Sequence, residues 1–209
     1  MFLNFHCHNS TFPAYEILQL ELGFDPDACY FSAGIHPKDC LLPKKLENLL
    51  IHPNCLAIGE CGLDKKNDIS MEFQQIIFEK QIKLSEQYKL PLILHSVKSW
   101  NEILTLRKTL KPQQQWIFHG FRKTNLHTSV IDEGLILGIG PAIFYDIKLQ
   151  ELIKSIPLKH ILLETDQQSE ITIDQLYKHI SLIKNLPVSE VADQLFYSFK
   201  SIFQKWKIG

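Results

Sequence analysis

Residues 90–119, LPLILHSVKSWNEILTLRKTLKPQQQWIFH, decide the fold. An apolar strand at 92–95 ends on His95, a helical pattern runs over 99–110, and a second apolar strand at 116–118 is followed by His119. Trp100, Ile103, Leu104 and Leu110 supply the apolar side of the intervening helix. Two strands joined through a helix in this way pair in parallel, because the helix carries the chain back to the starting edge. Short apolar, β-branched or aromatic runs alternate with helical patterns elsewhere too, with strands predicted at 2–6, 17–22, 30–35, 56–60, 135–140 and 161–164. Eight strands in this rhythm predict an α/β fold, a (β/α)8 TIM barrel.

Helices are predicted at 43–51 with Pro43 in the first turn, at 70–88 with Ser70 as N-cap, and at 99–110, 124–133, 147–156, 173–186 and 189–206. Phe73, Ile76, Ile77, Leu84 and Tyr88 form the expected buried stripe of the long helix. The two last helices should pack on the barrel through Leu176, Ile180, Ile183, Val191, Leu195, Phe199, Phe203 and Trp206. The front of the chain is leaner. About ten residues separate the first two strands, and residues 23–29 join the second to the third, so neither link has room for a crossover helix. The barrel is therefore expected to be trimmed and distorted in its first units. The 209 residues contain no repeat, linker or low-complexity stretch and read as one domain over 1–209.

Composition narrows the function classes. The 22 basic and 23 acidic residues leave a net charge of −1, so any nucleic-acid contact must be local. Cys7, Cys29, Cys40, Cys55 and Cys61 are odd in number and form no C-x-x-C pair, which argues against a disulfide framework and for a reducing compartment. The N-terminal MFLNFHCHNS lacks the pattern of a signal peptide, and no run is long enough to span a bilayer. A cytoplasmic protein without membrane contact is expected.

The strand ends carry the chemistry. His6 and His8 close the first strand, Glu60 the fourth, His95 and His119 the next two, and Asp166 follows the last. A parallel barrel gathers strand ends at one face. Four imidazoles and two carboxylates meeting there suit a pair of divalent cations. His6 and His8 share a strand face, with Cys7 on the other. Gly59 and Gly62 leave room for backbone approach around Glu60, while Asp64 reads as a cap. Glu164, two residues before Asp166, should lie one layer deeper, where it either orients a histidine or water or pairs with a lysine. His36 in GIHP either touches a substrate anion or caps its loop. His52, His127, His160 and His179 read as surface residues, and Gly138 and Gly140 as tight packing at the barrel wall.

Taken in order, His6-Cys7-His8, Gly34-Ile35-His36-Pro37, Ile58-Gly59-Glu60-Cys61-Gly62-Leu63-Asp64, His95, His119 and Glu164-Thr165-Asp166 resemble the TatD-like metal-dependent deoxyribonucleases. The resemblance spans nearly the whole chain and implies a TIM-barrel hydrolase with two divalent ions, whether Zn²⁺, Mn²⁺, Mg²⁺, Co²⁺ or Ni²⁺. It implies that His6, His8 and Asp166 hold the first, that Glu60 bridges to a second held by His95 and His119, and that Asp166 and Glu60 are catalytic. DNA ends or short nucleotides are the implied substrates. A small amide, ester or phosphate is the alternative, and a non-catalytic binding module would have no need of six convergent donors. The departures lie around the metals. Asn4 stands where the family has an acid and Val97 where it has an arginine. Gly120-Phe121-Arg122-Lys123 follows His119, and Gln167-Gln168 follows Asp166. Lys98, Arg122 and Lys123 either contact phosphate at the site mouth or form a solvated loop.

Overall fold

A computed structural model describes residues 1–9, 15–20, 25–39 and 46–207. Pro43, Cys40, Gly23 and the predicted end of the second strand at Leu22 lie outside them. Among the described residues, eight parallel strands stand in sequence order, each paired with the next: β1 (Asn4–Cys7), β2 (Glu16–Gln19), β3 (Tyr30–Ser32), β4 (Cys55–Asp64), β5 (Leu92–Val97), β6 (Trp116–Phe118), β7 (Ile136–Ile139) and β8 (Ile161–Leu163). The ring is drawn together between its ends by a bridge from Cys7 to Asp166. There the Asp166 amide donates to the His6 carbonyl at 3.1 Å and the His8 amide donates to the Asp166 carbonyl at 3.0 Å. This is the expected TIM barrel.

The helices that follow the strands are α1 (Leu46–Leu50), α2 (Met71–Tyr88), α3 (Trp100–Leu110), α4 (His127–Asp132), α5 (Ile147–Ser155), α6 (Ile173–Lys184) and α7 (Val188–Ile202). No helix appears among the described residues between β1 and β2 or between β2 and β3. Ser70 caps α2 as expected, its hydroxyl accepting from the Phe73 amide.

The buried face of α2 differs from the predicted stripe. Phe73 and Ile76 are exposed, whereas Gln74, Ile77, Phe78, Gln81, Ile82 and Ser85 are buried. The reason lies in backbone groups at the strand ends. Gln81 accepts from the Ile35 amide at 2.7 Å and donates to its carbonyl at 3.0 Å. Gln74 does the same for Asp64, at 2.8 and 3.0 Å. These amides replace missing ladder partners, and buried backbone groups must be paired. The two glutamines thereby clamp the segments that carry His36 and Asp64. Leu110, expected in the core, is also exposed because α3 ends there.

Apolar side chains fill the barrel from below. Leu3, Phe5, Ile17, Ala57, Ile93, Ile117, Ile136 and Leu162 form an inner cluster with Phe199 and Phe203 of the C-terminal segment and Trp206 beyond it. The larger cluster lies between strands and helices. Thus α7 and the residues after it plug the N-terminal mouth, leaving the opposite mouth to polar groups. Gly138 sits where a Cβ would come within 2.6 Å of the Phe118 carbonyl oxygen and of the Phe5 ring. Its lack of a side chain is what lets β7 approach β6.

Cys7 is fully buried in the outer cluster, its thiol directed at the Ile17 carbonyl at 3.6 Å. Cys7→Ser is expected to lower stability by about 1–3 kcal/mol, because a hydroxyl is costlier than a thiol to bury in apolar surroundings. Metal content and turnover per folded molecule should change little. Urea midpoints alongside elemental analysis check this, and an unchanged midpoint with lost metal would contradict it.

Candidate metal centre

Two backbone bulges aim the donors. Along β1, three residue steps from Asn4 to Cys7 face two on β2, from Glu16 to Leu18. The extra residue lets Phe5 stay in the inner cluster while its neighbour His6 also turns inward, together with His8. Along β4, the steps from Ile58 to Cys61 likewise face only those from Leu92 to Leu94, so Glu60 sits on a bulge. The strand does not stop there, as the sequence had suggested. It runs on to Asp64, because Gly62, Leu63 and Asp64 pair with His95, Ser96 and Val97. Asp166 has φ 54°, a left-handed conformation uncommon for an L-residue, held by the two backbone bonds to β1.

The six strand-end donors meet in one cup. Glu60, 6% exposed, stands at its centre. Its Oε1 lies 2.8 Å from His6 Nε2, 3.6 Å from His8 Nε2 and 3.7 Å from His119 Nε2. Its Oε2 lies 3.3 Å from His36 Nε2 and 3.4 Å from His95 Nδ1. Asp166 Oδ1 lies 3.5 Å from His6 Nε2 and 3.6 Å from His8 Nε2. Ligand atoms of His6, Glu60, His119 and Asp166 form one compact group, and those of His36, Glu60 and His95 a second, with Glu60 common to both.

Other carboxylates stand behind the imidazoles. Asp64 Oδ2 is 3.6 Å from His95 Nε2, and Glu164 Oε2 is 3.9 Å from His119 Nδ1. Asp64 does cap its loop, accepting from the Lys66 amide at 2.8 Å, but its placement behind His95 escaped the sequence reading. Its signal was parity: Glu60, Gly62 and Asp64 alternate in one apolar run. Glu164 is fully buried and accepts from the Gly120 amide; its partners are His119 and Gly120 rather than a lysine. Asn4 knits β1 to the segment after β8, donating to the Thr165 hydroxyl at 2.9 Å and accepting from the Thr165 amide at 3.2 Å.

Burial and charge oppose each other in the cup. Burial acts to lower the His6 pKa, yet the Asp166 and Glu60 carboxylates raise it to about 10. Burial acts to raise that of Glu60, but His36, His6, His8 and His95 hold it far below the usual carboxylate range. Burial lowers His119 to about 4 and raises Glu164 to about 8.

The donor set fits divalent ions. Two ligands each about 2.0–2.1 Å from one ion stand roughly 2.9–4.1 Å apart, depending on the angle between them. The separations around Glu60 fall close to this span. Among the described residues, His6 Nε2, which faces Glu60 and Asp166, is buried without an aligned hydrogen bond. Buried polar atoms are normally satisfied, so an unsatisfied imidazole nitrogen between two carboxylates fits a cation ligand. His-rich nitrogen and oxygen donors suit Zn²⁺, Mn²⁺, Co²⁺ or Ni²⁺.

The remaining expected residues are less central. Arg122 is exposed, pairs with Asp146 at 3.7 Å, and lines a cavity of about 430 Å³ whose wall also includes Glu164 and Asp166. Lys98 is exposed at φ 56°, and no contact brings it to the donor cluster. His36 lies inside the cup rather than at its edge. His52, read as a surface residue, is partly buried and bonded to Asp27 at 3.1 Å, and His179 is partly buried against Phe144.

The sequence matches the family described as TatD related DNase over residues 4–204. The chain belongs to the TatD family. It is 33% identical over 152 residues to a 3'-5' ssDNA/RNA exonuclease TatD of Erwinia tasmaniensis, covering 68% of this chain and 59% of that protein. It is 30% identical to the Escherichia coli protein called uncharacterized metal-dependent hydrolase YjjV, covering 72% and 61% of the two chains. This TatD-family chain therefore spans about three fifths of the length of those relatives. The crystal structure of the E. coli YjjV protein superposes with a TM-score of 0.74 at 24% identity, over 85% of this chain and 78% of that one, which shows a shared fold. Among the described residues, no helix is long and apolar enough to cross a membrane.

Proposed function

We propose that this chain is a metal-dependent phosphodiesterase that removes nucleotides from single-stranded nucleic-acid ends, working in the reducing cytoplasm that the free Cys7, Cys29, Cys55 and Cys61 suit. The observation that carries this reading is the division of Glu60, one oxygen toward His6, His8 and His119 and the other toward His36 and His95. A single carboxylate with a donor group on each side is what a two-ion site requires. His6, His8 and Asp166 would hold one ion with Glu60; His119 stands between the two sides, 3.7 Å from the same Glu60 oxygen as His6 but with Nε2 3.4 Å from His95 Nδ1, and would hold the second ion with His95. When bound, two divalent ions supply Lewis acidity, which acidifies water and offsets charge building on phosphate oxygens.

The chain's own groups then do the positioning. Asp166 faces the cavity with its side chain 38% exposed, so it can orient the attacking water and take its proton. Asp64 and Glu164 hold the rings of His95 and His119 from behind. His36 is placed as a donor. Its Nδ1 accepts from the Lys38 amide at 3.1 Å, so in the neutral ring the proton sits on Nε2, facing Glu60. His36 thus steadies the bridging carboxylate or meets a phosphate oxygen, and is not an ion ligand.

The cavity wall contains one cation, Arg122, and that is paired with Asp146. This favours a second reading, hydrolysis of a small ester, amide or phosphate. A screen of metals against substrates separates the two. We expect ion-dependent release of mononucleotides from single-stranded oligonucleotides, slowing as salt rises. Ion-loaded protein that cleaves chromogenic small esters or phosphates but no oligonucleotide would overturn the first reading.

A further inference from the structure

A groove leads away from the centre. The cavity beside Asp166 has Tyr145, Glu170 and Ile171 in its wall, and the same three residues line a second cavity of about 370 Å³. The second continues past Phe144 and His179 to Lys178 and Leu182. The two spaces are neighbours, sharing Tyr145 in their walls. The Tyr145 side chain is 78% exposed, and so is Leu182 at the far end.

Tyr145 is exposed but firmly mounted. It ends a 3₁₀ helix (Pro141–Phe144) that follows β7, and its amide donates to the Ala142 carbonyl at 3.1 Å. The next residue, Asp146, caps α5 by accepting from the Leu149 amide at 3.2 Å. Phe144 is backed by the His179 ring, stacked at 4.4 Å, and Gln150 donates to the Ile143 carbonyl at 2.8 Å. An aromatic ring presented from a rigid stem at the junction of two cavities offers a face to a flat, apolar partner. Cations accompany it on both sides. Arg122 pairs with the mostly buried Asp146 at 3.7 Å, and Lys178 with the half-exposed Asp174 at 2.9 Å. An exposed pair such as Lys178–Asp174 is weak enough to be exchanged for phosphate.

We propose that Tyr145 is a stacking platform for a nucleobase of a single-stranded substrate, whose chain continues from the metal centre along the groove toward Leu182. The proposal rests on the phosphodiesterase reading. It names one occupant, an unpaired nucleic-acid strand, because Tyr145 lines the same cavity as Asp166. Aromatic stacking also tolerates any base, which an end-processing enzyme needs.

The test compares normal and abasic single-stranded oligonucleotides, the abasic site placed next to the terminal nucleotide, using ion-loaded wild type, Tyr145→Ala and Tyr145→Phe. Wild type should show a KM about tenfold lower for the base-bearing strand, as one stacked base would give. Tyr145→Ala should lose that preference and Tyr145→Phe should keep it. Equal preference in wild type and Tyr145→Ala overturns the platform while leaving the phosphodiesterase reading standing. Absence of cleavage of either strand by wild type defeats both. A dimer in solution that Leu182→Lys dissociates, with the KM preference unmoved by Tyr145→Ala, gives this face to a second copy and overturns the proposal.

Discussion

Glu60→Gln is expected to lower turnover by about 10³-fold or more and to remove one bound ion per chain. The substitution keeps the shape but divides the carboxylate into one acceptor and one donor. Oε1 now faces three imidazoles and Oε2 faces two, all of which require an acceptor or a shared cation. If the new NH₂ occupies the Oε2 position it meets the proton of His36 Nε2, a ring whose other nitrogen is already engaged by the Lys38 amide. In the opposite orientation it faces His6, the least solvated of the rings. Either way the negative charge between the two proposed ion positions is lost. A loss of about 4 kcal/mol in transition-state stabilisation corresponds to the stated factor. Elemental analysis and steady-state rates on the same preparation check it, with circular dichroism reporting the fold. Two ions per chain and an unchanged rate would remove Glu60 from the centre.

Gly62→Ala should be the most destabilising single methyl in this region, at about 3–5 kcal/mol. Gly62 has φ 138°, outside the range that a side chain tolerates, and an added Cβ would stand 2.1 Å from the His95 carbonyl oxygen. That oxygen belongs to the strand paired with Gly62, so relief requires β4 and β5 to part at the point where Glu60 and His95 are aimed. Gly120→Ala is the matched comparison. Gly120 also has positive φ, 59°, but nothing lies within 4 Å of its absent Cβ, so a loss of about 1 kcal/mol is expected. Urea unfolding of both variants measures the difference. Equal midpoints would mean that the two strands can separate without cost there.

The β5–α3–β6 unit was legible because both of its signals are local: apolar runs too short for helices, and a helical pattern between them. The donor positions were legible for a related reason. A polar residue at the end of an apolar run stands out without any knowledge of its neighbours, as His95 and Asp166 do. The α2 face was misread because periodicity counts Gln74 and Gln81 as outward. Their burial answers to backbone groups of Ile35, just past β3, and of Asp64, at the end of β4. Asp64 was rightly read as a cap, but its second partner, His95, was missed because it arrives from the next strand. His36 was singled out, but whether it reached the cup depended on how Gln81 clamps Ile35.

The amino-acid order alone determined a parallel barrel and the identity of the side chains at its open mouth, because strand, helix and terminal donor are each encoded within a few neighbouring residues. Tertiary structure alone decided which oxygen of Glu60 faces which imidazole, which carboxylates stand behind His95 and His119, and that Tyr145 joins Asp166 in the wall of one cavity. Those relations depend on bulges in β1 and β4 and on contacts between segments far apart in the chain, and no local pattern reports the orientation of one strand against another.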